Sequence, residues 1–160
     1  MSERLFPRGA VVASVIGALL LMLVPLPDMV APLRPNWLAL VVAYWALETP
    51  SRARLGFAFT CGLVADVALG SLLGEHALRL VVLVWLLQRS RARLRFSPLT
   101  QQALTIGALL FLDHALHGLV AWLSGQPLPR WSGWLSPVVG MLLWPPLFVL
   151  LDAMRLSRRR

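Results

Sequence analysis

The chain has 160 residues, of which 58% are hydrophobic and only 14% charged, whereas a water-soluble domain carries about 25% charged residues. So little polar surface cannot coat a globule in water, so the composition excludes an ordinary soluble domain and points to one compact unit dissolved in lipid. The formal net charge of +8 does not make a nucleic-acid platform: the basic residues are all arginine and cluster between apolar runs, with no basic, aromatic-studded globular domain to carry them.

Six apolar runs follow one another, and the expected fold is an all-α polytopic membrane bundle of about six transmembrane helices in a single domain, 1–160. The first, 10–26, follows Arg4 and Arg8. A basic start and an apolar core resemble a signal peptide, but the run ends in Pro25-Leu26-Pro27-Asp28 without a small-x-small cleavage site, so an uncleaved membrane helix is expected. Gly9, Ala13 and Gly17 recur at i+4 and offer a face that another helix can approach closely. The second run, 35–49, opens on Pro35 as a first helical residue. It is about 15 residues or roughly 22 Å long, short of a hydrocarbon core of about 30 Å, so it either spans a locally thinned bilayer or re-enters. The third, 55–73, and the fourth, 76–88, flank a tight turn at Gly74-Glu75 and read as a helical hairpin. The fourth run ends in the arginine-rich segment 88–95. Ser97-Pro98 reads as a cap and first residue of a long fifth helix, 98–123. The sixth, 137–154, contains Pro145 and Pro146, which deprive the carbonyls of Met141 and Leu142 of their usual donors and predict a kink.

Arginine placement orients the bundle. With six crossings and both termini cytoplasmic, Arg4, Arg8, Arg52, Arg54, Arg89, Arg91, Arg93, Arg95, Arg155, Arg158, Arg159 and Arg160 lie inside, while Arg34 and Arg130 lie outside. Trp37, Trp122, Trp131 and Trp134 near the outer ends, and Trp45 and Trp85 near the inner ends, fit interfacial belts. The inner arginines, Arg89, Arg91, Arg93 and Arg95 above all, suit anionic lipid contact or the docking of a cytoplasmic protein.

The chemistry is sparse. Asp66 falls near the middle of the third run, where a charged carboxylate costs about 2.5–3.5 kcal/mol on insertion scales. It must therefore face protein or water, or be protonated. Gly62 and Gly70 lie at i±4 from it, in a small-residue stripe. An interhelical hydrogen bond, a ligand or proton site, and a contact to a partner protein are all compatible with this setting; the hairpin predicts a bond to Arg79 or His76. Asp113 and His117 share a face of the fifth helix and read as a local pair, as part of a proton relay with Asp66, or as part of a metal site. No second His or Cys cluster completes a ligand set. Two buried aspartates raise the idea of a protease dyad, but Asp66 follows Leu63-Val64-Ala65 rather than Gly-x-Gly. No Gly-x-Ser-x-Gly, His-Glu-x-x-His or phosphate-cradling loop is present. No enzymatic activity, metal or cofactor is expected. Cys61 is alone and permits no internal disulfide.

The motifs in order resemble those of MreD, the rod shape-determining membrane protein family. Pro25-Leu26-Pro27-Asp28 is similar to the family's first loop. Arg34-Pro35-Asn36-Trp37, then Tyr44-Trp45 and Pro50-x-Arg52, resemble its second-helix signature. Gly62-Leu63-x-x-Asp66-x-x-x-Gly70-x-x-Leu73-Gly74-x-His76 resembles its hairpin, the most specific piece. Leu143-Trp144-Pro145 with Phe148 resembles its last helix. The resemblance implies a non-enzymatic inner-membrane scaffold of the cell-elongation, peptidoglycan-synthesising complex. It would act directly with MreC, and in the same complex with MreB, RodZ, the glycosyltransferase RodA and the elongation transpeptidase. It also implies a fold similar to the substrate-binding subunits of energy-coupling-factor vitamin transporters. The alternative is accordingly a small-molecule-binding membrane subunit, whose site would lie near Asp66, Asp113 and His117. Pro35, Asn36, Trp37, Gly62, Asp66, Gly70, Gly74, His76, Trp144 and Pro145 are the residues carried over. Glu48 and the arginine-rich tail map onto no family motif.

Overall fold

In the computed structural model, which describes residues 8–49 and 54–157, the chain is all α-helical. Its helices are α1 (Arg8–Leu23), α2 (Trp37–Glu48), α3 (Leu55–Leu69), α4 (Glu75–Leu94), α5 (Leu99–Leu123) and α6 (Leu135–Ser157), with short 3-10 turns at Ala31–Leu33 and Trp131–Trp134. Arg4, Pro50, Arg52, Arg158, Arg159 and Arg160 lie outside the described residues.

The bundle is built around α2. Every residue from Leu38 to Leu47 is buried, although a helix that faces water or lipid on one side shows a buried stripe instead. The sequence explains this: Trp37–Glu48 has no polar face to turn outward. The segment that reads as the weakest span is thus the core of the molecule, and α1, α4, α5 and α6 all pack on it. Trp45, expected in an interfacial belt, is 1% exposed and donates from its indole nitrogen to Ser14 Oγ of α1 at 2.9 Å. A buried indole N–H needs such a partner. The helix starts at Trp37, two residues after the expected first position, Pro35. Asn36 is its cap, with Oδ1 accepting from the Ala39 N–H at 3.1 Å, and Pro35 precedes it.

α1 lies on α2 through Ala10, Ser14, Ala18 and Met22, all buried. This is an i+4 stripe one residue over from the expected Gly9-Ala13-Gly17 face, whose Gly17 looks onto open space. Ser14 selects that face because it receives the Trp45 N–H. α3 and α4 form the closest pair. A Cβ placed on Gly62 would come within 2.2 Å of the Ala77 Cα, so only glycine admits this backbone approach.

Two further expectations are corrected. The fourth helix does not end at 88 as expected: α4 continues to Leu94 and carries Arg89, Arg91 and Arg93, with Arg95 as its C-cap. Arginine is a good helix former, and Arg91 Nε donates to the Leu47 carbonyl at the end of α2, 2.7 Å away. Ser97 does not cap α5. Its hydroxyl donates back to the Arg93 carbonyl at 2.8 Å, and Pro98 occupies the cap position. α6 runs through Pro145 and Pro146 as one helix.

The helices Leu99–Leu123 and Trp131–Arg155 are long and apolar enough to cross a membrane, and only 28% and 22% of their most apolar windows is buried. A core helix of a soluble protein is mostly buried, so outward apolar faces of this extent, with Leu104, Leu119, Leu142, Val149 and Leu150 about half exposed or more, are consistent with a membrane protein.

Candidate functional site

Polar side chains gather at one end of the bundle, where α2, α4 and α6 begin and α1, α3 and α5 finish. The first group closes the α3–α4 turn. α3 stops at Leu69, so Asp66 stands in its last turn rather than mid-helix. Gly70 and Gly74 take positive φ angles of 65° and 99°, the left-handed region that glycine enters at little cost, and they fold the chain back over the carboxylate. Asp66 Oδ1 then accepts from Ser71 Oγ (2.9 Å), the His76 backbone N–H (2.9 Å) and His76 Nδ1 (2.8 Å), and Oδ2 accepts from the Gly74 N–H at 2.8 Å. Two of these donors are free N–H groups at the start of α4. Asp66 is in effect that helix's N-cap, supplied by the preceding helix and favoured by its dipole. Of the two expected partners, His76 is the one it meets.

Arg79 turns to the second group. Its Nε and Nη2 donate to Asp113 Oδ1 and Oδ2 at 3.0 and 2.5 Å, and its Nη1 lies 3.4 Å from Glu75 Oε1. Asn36 Nδ2 adds a bond to Asp113 Oδ2 at 3.1 Å. Arg79, Asp113 and Glu75 are 7%, 4% and 6% exposed, so this is a buried, bidentate ion pair, the strongest form of such contact. It ties α2, α4 and α5 together. His117 does not pair with Asp113 as its i+4 spacing suggests; its Nδ1 bonds to Glu75 Oε1. Asp66 and Asp113 are each enclosed by their own partners, and neither hydrogen-bonds the other, so the geometry is not that of a proton-sharing dyad. Among the described residues no group of three His, Cys, Asp or Glu side chains could hold a metal ion.

Sequence reasoning missed Glu75, Arg34, His114 and Ser136. Glu75 carried a signal, its i+4 spacing to Arg79. Arg34 carried one too, its place at the head of the Arg34-Pro35-Asn36-Trp37 signature; His114 and Ser136 carried none. Ser136 Oγ donates to the Arg34 carbonyl at 2.6 Å, His114 meets Trp134 edge to face at 4.9 Å between ring centres, and Arg34 Nη1 donates to the Met22 carbonyl at 2.8 Å. Together these residues surround an open cleft of about 560 Å³, lined also by Glu75, His76, Arg79 and His117. Its volume falls in the range of small-molecule sites, about 300–1,000 Å³.

Among the remaining carried-over residues, Pro35 lines the cleft and Trp37 is half-buried. Trp144 is fully buried, with Phe148 at 6.0 Å, and Pro145 follows it inside α6. At the opposite end of the bundle Arg89, Arg93 and Arg95 are exposed, and Arg89 lies 5.9 Å over the Trp85 ring. There Glu48, which matched no motif, bonds to Arg155. Arg155 also reaches Asp152 at 2.8 Å, and Tyr44 donates to Asp152 at 3.3 Å.

Comparison with known proteins agrees with the motifs. A family model described as rod shape-determining protein MreD matches residues 4–154. The chain is 34% identical over 138 residues to the rod shape-determining protein MreD of Haemophilus influenzae, a match covering 86% of this chain and 85% of that protein. No solved structure matches.

Proposed function

The chain belongs to the MreD family of rod shape-determining proteins, and from that premise we propose that it works as a non-enzymatic, multi-pass inner-membrane scaffold of the cell-elongation machinery, acting with MreC. The carrying observation is the family match along residues 4–154. The bundle agrees with it: the buried carboxylates Asp66, Glu75 and Asp113 are occupied in holding helices to one another, as a scaffold requires.

In this reading all six helices cross the bilayer, both termini are cytoplasmic, and the cleft end of the bundle faces outward. The positive-inside rule supports the orientation, since Arg89, Arg91, Arg93, Arg95 and Arg155 crowd the other end. The twelve residues of α2 make a rod of about 18 Å. It can still serve as a crossing because its neighbours shield it, so its ends meet protein rather than hydrocarbon. An exposed lateral face receives the single helix of MreC, and the short outer loops receive that protein's periplasmic part. Through MreC the scaffold reaches MreB, RodZ, RodA and the elongation transpeptidase. The likeness to vitamin-transporter substrate-binding subunits belongs to the same reading and gives the cleft its interest.

Co-purification in mild detergent tests the proposal. Intact MreC is expected to travel with this protein; both proteins abundant and folded yet separating would overturn it.

A further inference from the structure

One arginine on the wall of the outer cleft has no direct ion-pair partner among the described residues. Arg79 is paired with Asp113 and Glu75, Asp66 with His76, and Glu75 also with His117. Arg34 is different. Among the described residues no carboxylate lies within 4 Å of it, and its Nε is buried without a hydrogen-bond partner. It cannot swing out freely to water, because Nη1 is anchored on the Met22 carbonyl in the last turn of α1. Across the cleft, His114 Nε2 is also buried and unpartnered. A half-buried guanidinium that lines the cleft, with no carboxylate in reach, offers a charge partner to an anion.

The walls say what kind. The lining mixes polar Glu75, His76 and His117 with apolar Met22, Ala31, Pro32, Pro35 and Leu72. A volume of about 560 Å³ far exceeds what a bare oxyanion fills. We propose that the cleft binds the phosphate head of an anionic amphiphile, with Arg34 as its charge partner and the apolar lining residues, Met22 and Leu72 among them, meeting the apolar portion. The inference goes beyond the scaffold reading and does not need MreC; it rests only on the bundle standing in a bilayer.

The test is lipid retention by the full chain. The protein is reconstituted in nanodiscs of equimolar phosphatidylglycerol and phosphatidylcholine, extracted in mild detergent, and its bound lipid is counted by native mass spectrometry. Phosphatidylglycerol is expected to be retained preferentially. Arg34→Gln should lower its retention about tenfold, the value of one charged hydrogen bond, and Arg34→Lys should preserve most of it. If Arg34→Gln does not fold, Leu72→Trp decides: it fills the cleft from an apolar lining position without removing a side-chain hydrogen bond, and should displace the lipid equally. Added inorganic phosphate separates two sources of the same chemistry. Displacement keeps the anion site and makes free phosphate its occupant; persistence of the lipid keeps the amphiphile. Equal retention of both lipids, or full retention in the folded variants, overturns the proposal. A chain that stayed monodisperse without any amphiphile would instead sink the membrane reading, which this assay distinguishes.

Discussion

Asp66 and Asp113 are two carboxylates with nearly the same burial, 1% and 4% exposed, at the same end of the same bundle, yet they are satisfied in opposite ways. Asp66 draws all its donors from residues 71–76 of its own hairpin, two of them backbone N–H groups. Asp113 draws its donors from Asn36 and Arg79, on two other helices. The first arrangement closes a turn, and the bundle could assemble around it as a finished unit. The second exists only once three helices have met. A buried charge held by its own turn secures local shape; a buried charge held across helices secures tertiary arrangement, and its partners are left exposed to larger penalties when one is lost.

That contrast can be broken experimentally, most severely at Arg79. Arg79→Leu leaves Asp113 and Glu75 buried without their cation and should cost about 3–5 kcal/mol of unfolding free energy in detergent. The double variant Arg79→Leu with Asp113→Leu should recover part of that, because it removes one of the two stranded carboxylates and leaves Glu75 with His117. Equal losses in the single and double variants would show that the pair is not the tertiary lock described. Asp66→Ala should cost less, about 1–3 kcal/mol, the loss of a helix cap together with unmet N–H groups. Hydrogen exchange should rise at Gly74 and His76 while the amides around Asp113 keep their protection. If the whole bundle loosened together, Asp66 would not be a local device. Asn36→Ala should have the smallest effect, about 1 kcal/mol for the α2 cap. It sharpens the comparison by asking how much of Asp113's support survives when only the bidentate arginine remains.

The same division explains what could be read in advance. The hairpin was legible because its parts are near neighbours: Asp66, two glycines at spacings of four, and His76 specify a turn on their own. The pairing of Arg79 with Asp113 was not, because it depends on how α4 and α5 lie side by side. Spacing along α5 favoured His117 for Asp113, but a guanidinium offers two parallel donors to a carboxylate where an imidazole offers one. Length argued against the run that became α2, since a short helix fails to match hydrocarbon. The missing polar face was the better signal, because a helix apolar all round belongs inside. For the cleft, Asp113 and His117 pointed to the right end of the molecule. Arg34 and His114 became visible only when the segments before α2 and α6 were folded over them.

One feature of α2 bears on how the protein is made. It is the second helix to leave the ribosome, but its surroundings are completed by the last: Tyr44 reaches Asp152, and Glu48 reaches Arg155. Until α6 has been synthesised, a segment that ends up touching almost no lipid must wait against lipid or inside the insertion machinery. Biogenesis therefore cannot proceed by stacking finished helices in order of appearance; the first five have to hold a place open, and the arrival of the sixth is the event that seals it.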